Sequence, residues 1–275
     1  MYGRENQLRA SSRKITVPGL TAMKRRGEKI AMLTAYDASF ATVLDAAGVD
    51  VILVGDSLGM VINGDSNTLS VTLENEVYHT GAVARGLENA LLLADMPFLA
   101  DRDSAHAIEA AGQLMSRGRA SMVKVEGAGH ILEVAAALST RGIPVCGHLG
   151  LTPQSVHKLG GYRVQGKTKE SAERILSDAL DLQLAGVDLL VLECVPSDLA
   201  ASVAKKLAIP VIGIGAGPGC DGQVLVLHDL LGVTPGTRPR FCKNFLESGG
   251  SVAGAVGLFV KEVKEGLFPS REHCY

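Results

Sequence analysis

Short apolar runs rich in β-branched residues recur along this chain, and several stop abruptly on an acid. The clearest lies within Val49 to Met60, which reads Val-Asp-Val-Ile-Leu-Val-Gly-Asp-Ser-Leu-Gly-Met. Val51 to Val54 is too short for a helix and shows no alternation. That is the pattern of a strand buried on both faces, as in parallel sheets covered by helices. Its end, Gly55-Asp56-Ser57, puts a carboxylate and a hydroxyl at the carboxyl end of a strand, where α/β folds place ligands. Taken alone, Asp56 and Ser57 read equally well as a turn or a helix cap. The runs Ala90–Asp95, Met122–Glu126 and Leu189–Glu193 also end on acids. Turn chemistry does not account for that repetition.

In chain order, residues 1–13 are polar and aperiodic and read as a flexible tail. Val17 to Gly27 reads as a short N-terminal helix, stopped by Gly27 and basic in its last turn. Ile30 to Ala35 is a first strand. One unit then repeats: a helix, a break often made by glycine, two residues, and an apolar strand. It shows in Leu44-Asp-Ala-Ala-Gly48-Val-Asp-Val, Thr140-Arg-Gly142-Ile-Pro-Val and Leu184-Ala-Gly186-Val-Asp-Leu. Strand cores are predicted near 31–35, 50–55, 90–95, 121–126, 143–147, 187–193, 210–214 and 223–227. The clearest helix is Thr168 to Ala185, with Ala172, Ile175, Leu176, Ala179, Leu182 and Leu184 mostly on one side. Strands alternating with helices predict an α/β fold, a (β/α)8 TIM barrel forming one catalytic domain over residues 14–275. A doubly wound open sheet is the alternative. Its dinucleotide-binding form is weakened because no GxGxxG follows the first strand.

Composition narrows the class. A chain of 275 residues, 47% hydrophobic and 20% charged, suits one soluble barrel domain. Its net charge of −2, with no dense Lys/Arg cluster, argues against nucleic acid or an anionic membrane as partner. No apolar run approaches a membrane span, and the start Met1-Tyr-Gly-Arg-Glu-Asn lacks the apolar core of a secretion signal. Five cysteines without a CxxC pair fit reduced thiols in the cytoplasm.

The candidate chemistry follows from the strand ends. Asp56, Asp95 and Glu126 are oxygen donors with no second His or Cys beside them, which suits Mg2+ better than zinc. Lys124 and Glu126 are two apart on one strand and share a face. Facing the lumen, they bring a cation and a carboxylate into one pocket; the alternative is an ion pair that only fills the barrel. Glu193, set among leucines and valine, is a candidate base with a raised pKa. Cys194 falls on the opposite face of its strand and reads as packing. Polar Asn63 to Ser70 is assigned to the ligand face, and the long connection Gly147 to Gly166, which carries His148 as a site-lining candidate, reads as functional, a simple surface excursion being the alternative. Ile212 to Gly219 has the look of a phosphate loop, a weak signal by itself.

Taken together, Val-Gly-Asp56-Ser57-Leu-Gly-Met, Ala-Asp95-Met-Pro-Phe, Val-Lys124-Val-Glu126-Gly, Gly-His148-Leu-Gly-Leu-Thr-Pro-Gln, Leu-Glu193-Cys-Val-Pro and Gly-Ile-Gly-Ala-Gly resemble the ketopantoate hydroxymethyltransferase family. The resemblance spans roughly Ile15 to Pro269, with the motifs in the family's order and spacing. It implies a Mg2+-dependent barrel, usually a homodecamer in bacteria. The implied reaction moves a hydroxymethyl group from 5,10-methylenetetrahydrofolate to 3-methyl-2-oxobutanoate, the first committed step towards pantothenate. By the same resemblance Asp56 and Asp95 hold the metal and contact substrate, with Glu126 close to the metal or bound to it. Ser57 and Lys124 hold the substrate carboxylate, Glu193 accepts a proton, and the loop Gly213 to Gly219 need not bind phosphate. The segment Asp65 to Ser70, Asp-Ser-Asn-Thr-Leu-Ser, departs from the family's His-Asp-Ser-Thr-Leu-Pro pattern. Two other readings stay open: a Schiff-base aldolase using Lys124, and a barrel that binds keto acids without catalysis.

Overall fold

The apolar runs become a closed parallel barrel. A computed structural model describes residues 14–234, 236 and 238–275, so the expected tail 1–13 lies outside the described residues. The strands are β1 (Ile30–Thr34), β2 (Val51–Val54), β3 (Leu91–Asp95), β4 (Met122–Glu126), β5 (Val145–Gly150), β6 (Leu189–Glu193), β7 (Val211–Ile214) and β8 (Gly222–Leu225). Each pairs in parallel with the next, and β8 closes on β1. The expected (β/α)8 barrel is what forms, and the open-sheet alternative is excluded.

Helices α1 (Val17–Arg26), α2 (Ala38–Ala46), α3 (Leu58–Val61), α4 (Leu73–Ala84), α5 (Ser104–Ser116) and α6 (His130–Ser139) accompany the first half. The second half carries α7 (Val156–Leu159), α8 (Lys169–Leu184), α9 (Ser197–Lys206), α10 (Leu227–Leu230), α11 (Leu246–Gly249) and α12 (Val252–Lys264). Gly27 caps α1 in the left-handed conformation, and its N–H reaches the Lys24 and Met23 carbonyls. This is the stop read from the sequence. Residues 215–221 join β7 directly to β8, with no helix between them.

Four sequence readings change. The fifth strand was expected at 143–147, but it runs to Gly150 and takes His148 out of the loop and into the sheet. Gly147 and Gly150 looked like breakers because they interrupt the apolar run. Gly150 (φ +92°) instead marks a close approach: a Cβ there would lie 2.2 Å from the Glu193 carbonyl oxygen. In α8, Ile175, Ala179 and Leu182 are buried as expected, but Leu184 is 82% exposed. Two positions past Leu182 is about 200° around a helix, on the far side. The glycines of Ile212 to Gly219 serve packing: a Cβ on Gly217 would come 2.4 Å from Ser197 Oγ, and no helix N-terminus follows to receive a phosphate. Cys194 also leaves the strand alternation. It follows β6 with φ +48° and lines the cavity described next while remaining buried.

Candidate active site

All seven predicted site residues meet at the carboxyl ends of the strands. They line one cavity of about 520 Å³. Sheet register explains the convergence. Asp95 pairs with Lys124 across β3 and β4, Glu126 pairs with His148 across β4 and β5, and Gly150 pairs with Glu193 across β5 and β6. Asp56 lies two residues past β2, and its backbone N–H donates to Asp95 Oδ2 at 3.2 Å.

Lys124 occupies the centre. Its ammonium donates to Asp95 Oδ1 and lies 3.4 Å from Glu126 Oε1, so two of its three donors are engaged among the described residues. His148 bridges the next two acids. Nδ1 stands 3.1 Å from Glu126 Oε1, while Nε2 stands 3.3 Å from Glu193 Oε2, an ionic contact short of a well-formed hydrogen bond. Ser57 Oγ meets the Tyr36 hydroxyl at 2.8 Å.

These contacts set the charges. Burial, then Asp95 and Glu126, push Asp56 well above the usual carboxylate range. Burial also raises Asp95, against the pull of Lys124. Glu126 goes the other way: burial opposes its charge, but Lys124 and then His148 outweigh it and hold the carboxyl at about 2. His148 rises to about 9, because Glu126 overcomes the cost of burying the imidazolium. Glu193 was expected to be desolvated among apolar neighbours. Its side chain is 16% exposed against 3% for Asp95 and 4% for Glu126, so it is the most open acid of the group.

Sequence reading missed two members. Gln154 Nε2 donates to Asp56 Oδ2 at 3.0 Å and to the Met96 carbonyl at 2.9 Å, while its backbone N–H donates to Glu126 Oε2 at 3.1 Å. Its signal was present in Leu-Thr-Pro-Gln154. Tyr36 orients Ser57, and it stands just past β1 as Asp56 does past β2. From the Asn63 to Ser70 segment, Thr68 reaches the cavity wall, as does Tyr162 from the long connection after β5.

The donor set can be tested for a metal. No three His, Cys, Asp or Glu side chains form a ready cage among the described residues, because Lys124 stands between Asp95 and Glu126. Four carboxyls nevertheless share one lysine and one histidine, which leaves an excess of negative charge. A hard dication with one or two direct carboxylates and its own waters fits that set.

A sequence profile of ketopantoate hydroxymethyltransferase matches residues 14–271. A 3-methyl-2-oxobutanoate hydroxymethyltransferase of Xylella fastidiosa (strain M12) is 57% identical over 266 residues, covering 96% of this chain and 97% of that protein. The enzyme of the same name from Xanthomonas campestris pv. campestris (strain B100) is 58% identical over 267 residues, covering 97% and 98%. A solved phosphonopyruvate hydrolase in complex with oxalate and Mg++ has the same fold, with TM-score 0.61 and 13% identity over 94% of this chain and 93% of that one. So does 2,3-dimethylmalate lyase of the PEP mutase/isocitrate lyase superfamily, with TM-score 0.59 and 15% identity over 86% and 88%.

Proposed function

This chain belongs to the ketopantoate hydroxymethyltransferase family and is a hydroxymethyltransferase, and we propose that its reaction joins the one-carbon unit of 5,10-methylenetetrahydrofolate to 3-methyl-2-oxobutanoate. The product is 2-dehydropantoate, on the way to pantothenate, and Mg2+ is the cofactor. The observation that carries the reading is the crowding of four carboxyls onto one lysine and one histidine in a single cavity.

In this reading Asp56 and Asp95 would hold Mg2+, with Glu126 beside it or bound to it. The ion supplies Lewis-acid polarisation of the keto oxygen. Ser57, oriented by Tyr36, and the remaining proton of Lys124 bind the substrate carboxylate. Glu193 removes the proton from the branched carbon. His148, held by Glu126, steadies Glu193 from one side. The carbanion attacks the folate-borne methylene, forming the new C–C bond as one C–N bond of the methylene bridge breaks; water then supplies the hydroxyl as the second C–N bond breaks, and tetrahydrofolate leaves with the proton. A Schiff-base route needs a neutral amine at Lys124. Burial works against the ammonium, yet Asp95, Glu126 and Asp56 hold its pKa well above the ordinary value, which favours a fixed charge over a nucleophile.

We place the enzyme in the cytoplasm as a homo-oligomer, decameric by the family's habit. Supporting this, all five cysteines are free thiols, no helix among the described residues is long and apolar enough to cross a membrane, and exposed Leu184 and Tyr78 offer apolar surface to a second copy. The deciding experiment incubates purified protein with both substrates, with and without Mg2+ after chelation. Turnover that needs the metal is expected. Full activity without any divalent ion, or no turnover with it, would contradict the reading.

A further inference from the structure

One acid behind the metal-binding candidates has no role in the chemistry above. Glu76 lies near the start of α4, the helix that packs on β2 and β3, and it is 0% exposed. Neither carboxyl oxygen has a hydrogen-bond partner among the described residues. Thr80, one turn further along the same helix, also leaves its hydroxyl unpaired, as does Thr68 of the Asn63 to Ser70 segment. Buried polar groups are nearly always paired, and an unsatisfied one opposes folding. A Met or Leu at this position would pack without that penalty.

The surroundings do not supply the missing partner. Burial, then Asp95 and Asp56, push the Glu76 carboxyl well above the usual range, and Lys124 only partly offsets them. The Lys124 ammonium is engaged by Asp95 and Glu126. Glu74, on the same turn, is an exposed acid paired outward with Arg117. Glu76 therefore lies on the helix packed against the strands that carry the two proposed metal ligands, near enough to feel their charge, with both oxygens unused. Two physical facts bear on what belongs there. Magnesium held by one or two carboxylates keeps several waters, and those waters are donors that need acceptors. The first turn of a helix favours a negative charge.

We propose that Glu76 is the outer-sphere carboxylate of the divalent-cation site, accepting hydrogen bonds from water on an ion held by Asp56 and Asp95. This rests on the Mg2+ reading given above. It explains why an acid is kept where an apolar side chain would stabilise the empty protein. Glu76 is thus a positioning residue: it fixes the ion through water and touches neither substrate nor the reacting carbon.

The test measures metal binding on the full-length chain without substrate, using Mn2+ by electron paramagnetic resonance and Mg2+ by calorimetry. Loss of an outer-sphere partner typically weakens affinity about 10–100-fold, so Kd should rise by that factor in Glu76→Met. Glu76→Gln keeps one acceptor oxygen and should lose less, though still more than about threefold. The metal-free melting temperature of Glu76→Met should equal or exceed wild type, while the rise produced by saturating Mg2+ shrinks. A merely structural acid would show the reverse: lower stability and unchanged affinity. A Glu76→Met Kd within about threefold of wild type overturns the proposal; if that variant does not fold, Glu76→Gln decides by the same threshold. Wild-type protein that binds no Mn2+ removes the metal site itself, and this proposal with it. Loss of Mn2+ in Asp56→Asn, with normal binding in the Glu76 variants, keeps the site and removes only the proposal.

Discussion

The two ends of this barrel both hold buried or half-buried acids, on opposite terms. At the amino ends of the strands, Asp45, Asp50, Asp188 and Asp221 each accept a backbone N–H at or beside the start of a strand. The donors are Ala90 at 2.8 Å, Ala31 at 2.8 Å, Val145 at 3.0 Å and Val211 at 2.8 Å. Lys264 adds a charge to Asp50, and Lys24 to Asp221. At the carboxyl ends, Asp56, Asp95, Glu126 and Glu193 share Lys124, His148 and the Gln154 amide. Burial is common to both groups and identifies neither. An acid answered by its own fixed N–H pins the barrel together, whereas the carboxyl-end acids, two of which also accept a backbone N–H, crowd one another around shared partners and hold charge in reserve for something that arrives.

The contrast is broken most sharply by exchanging charge for amide at each end. Asp56→Asn removes a buried charge crowded by Asp95 and Glu126, and the new side chain can still accept from Gln154. Its melting temperature should hold or rise while turnover falls about 10³-fold or more, because Lewis-acid stabilisation worth several kcal/mol is lost. Parallel melting curves and steady-state kinetics read both quantities. Asp221→Asn should behave in the opposite way. It weakens the bonds to Lys24 and the Val211 N–H, both 2.8 Å, at a cost of about 2 kcal/mol, as for hydrogen bonds to a charged group. Turnover per folded molecule should stay near wild type. If both variants lost stability and activity together, the division between the two ends would fail.

The most gradual effect concerns pH. His148 has its folded pKa raised to about 9 from an ordinary 6.5, so the proton favours the folded state. That contribution is fully present below pH 6.5 and is lost as pH rises through about 9. The stability difference between wild type and His148→Gln should therefore shrink over this window, by no more than about 1.4 kcal/mol per pH unit. Denaturant melts at several pH values check it. A flat difference would place His148 outside the Glu126 charge network.

Much of this site was legible because a doubly buried parallel strand leaves a sharp boundary. Leu91–Asp95 and Leu189–Glu193 run apolar until the acid that turns to the cavity, Val51–Val54 stops just short of Asp56, and Met122–Glu126 is broken only by cavity-lining Lys124. β5 was shortened because Gly147, His148 and Gly150 break the apolar signal for reasons set by neighbouring strands, such as the Glu193 carbonyl against Gly150. Leu184 was misplaced because hydrophobic identity alone does not fix a helical face. Tyr36 and Glu76 carry no local pattern at all, and Gln154 is marked only by its place in Leu-Thr-Pro-Gln154. Their roles arise where distant segments meet, 98 positions apart for Gln154 and Asp56. The link between β7 and β8 misled for the same reason, since Gly217 and Gly219 answer to α9 and Gly215 to Phe241 and Tyr275.

The central claim is that the acids at the carboxyl ends are chemical and not structural, and Glu193 tests it most directly. It is the most open of them and the one assigned to move a proton. The measurement is proton NMR of 3-methyl-2-oxobutanoate in deuterium oxide with Mg2+ and no folate, alongside a melting curve. Wild-type protein should exchange the proton on the branched carbon for deuterium. Glu193→Gln should fold normally and exchange about 10²–10⁴-fold more slowly, the usual contribution of a positioned general base. Near-normal exchange by the folded variant would contradict the account.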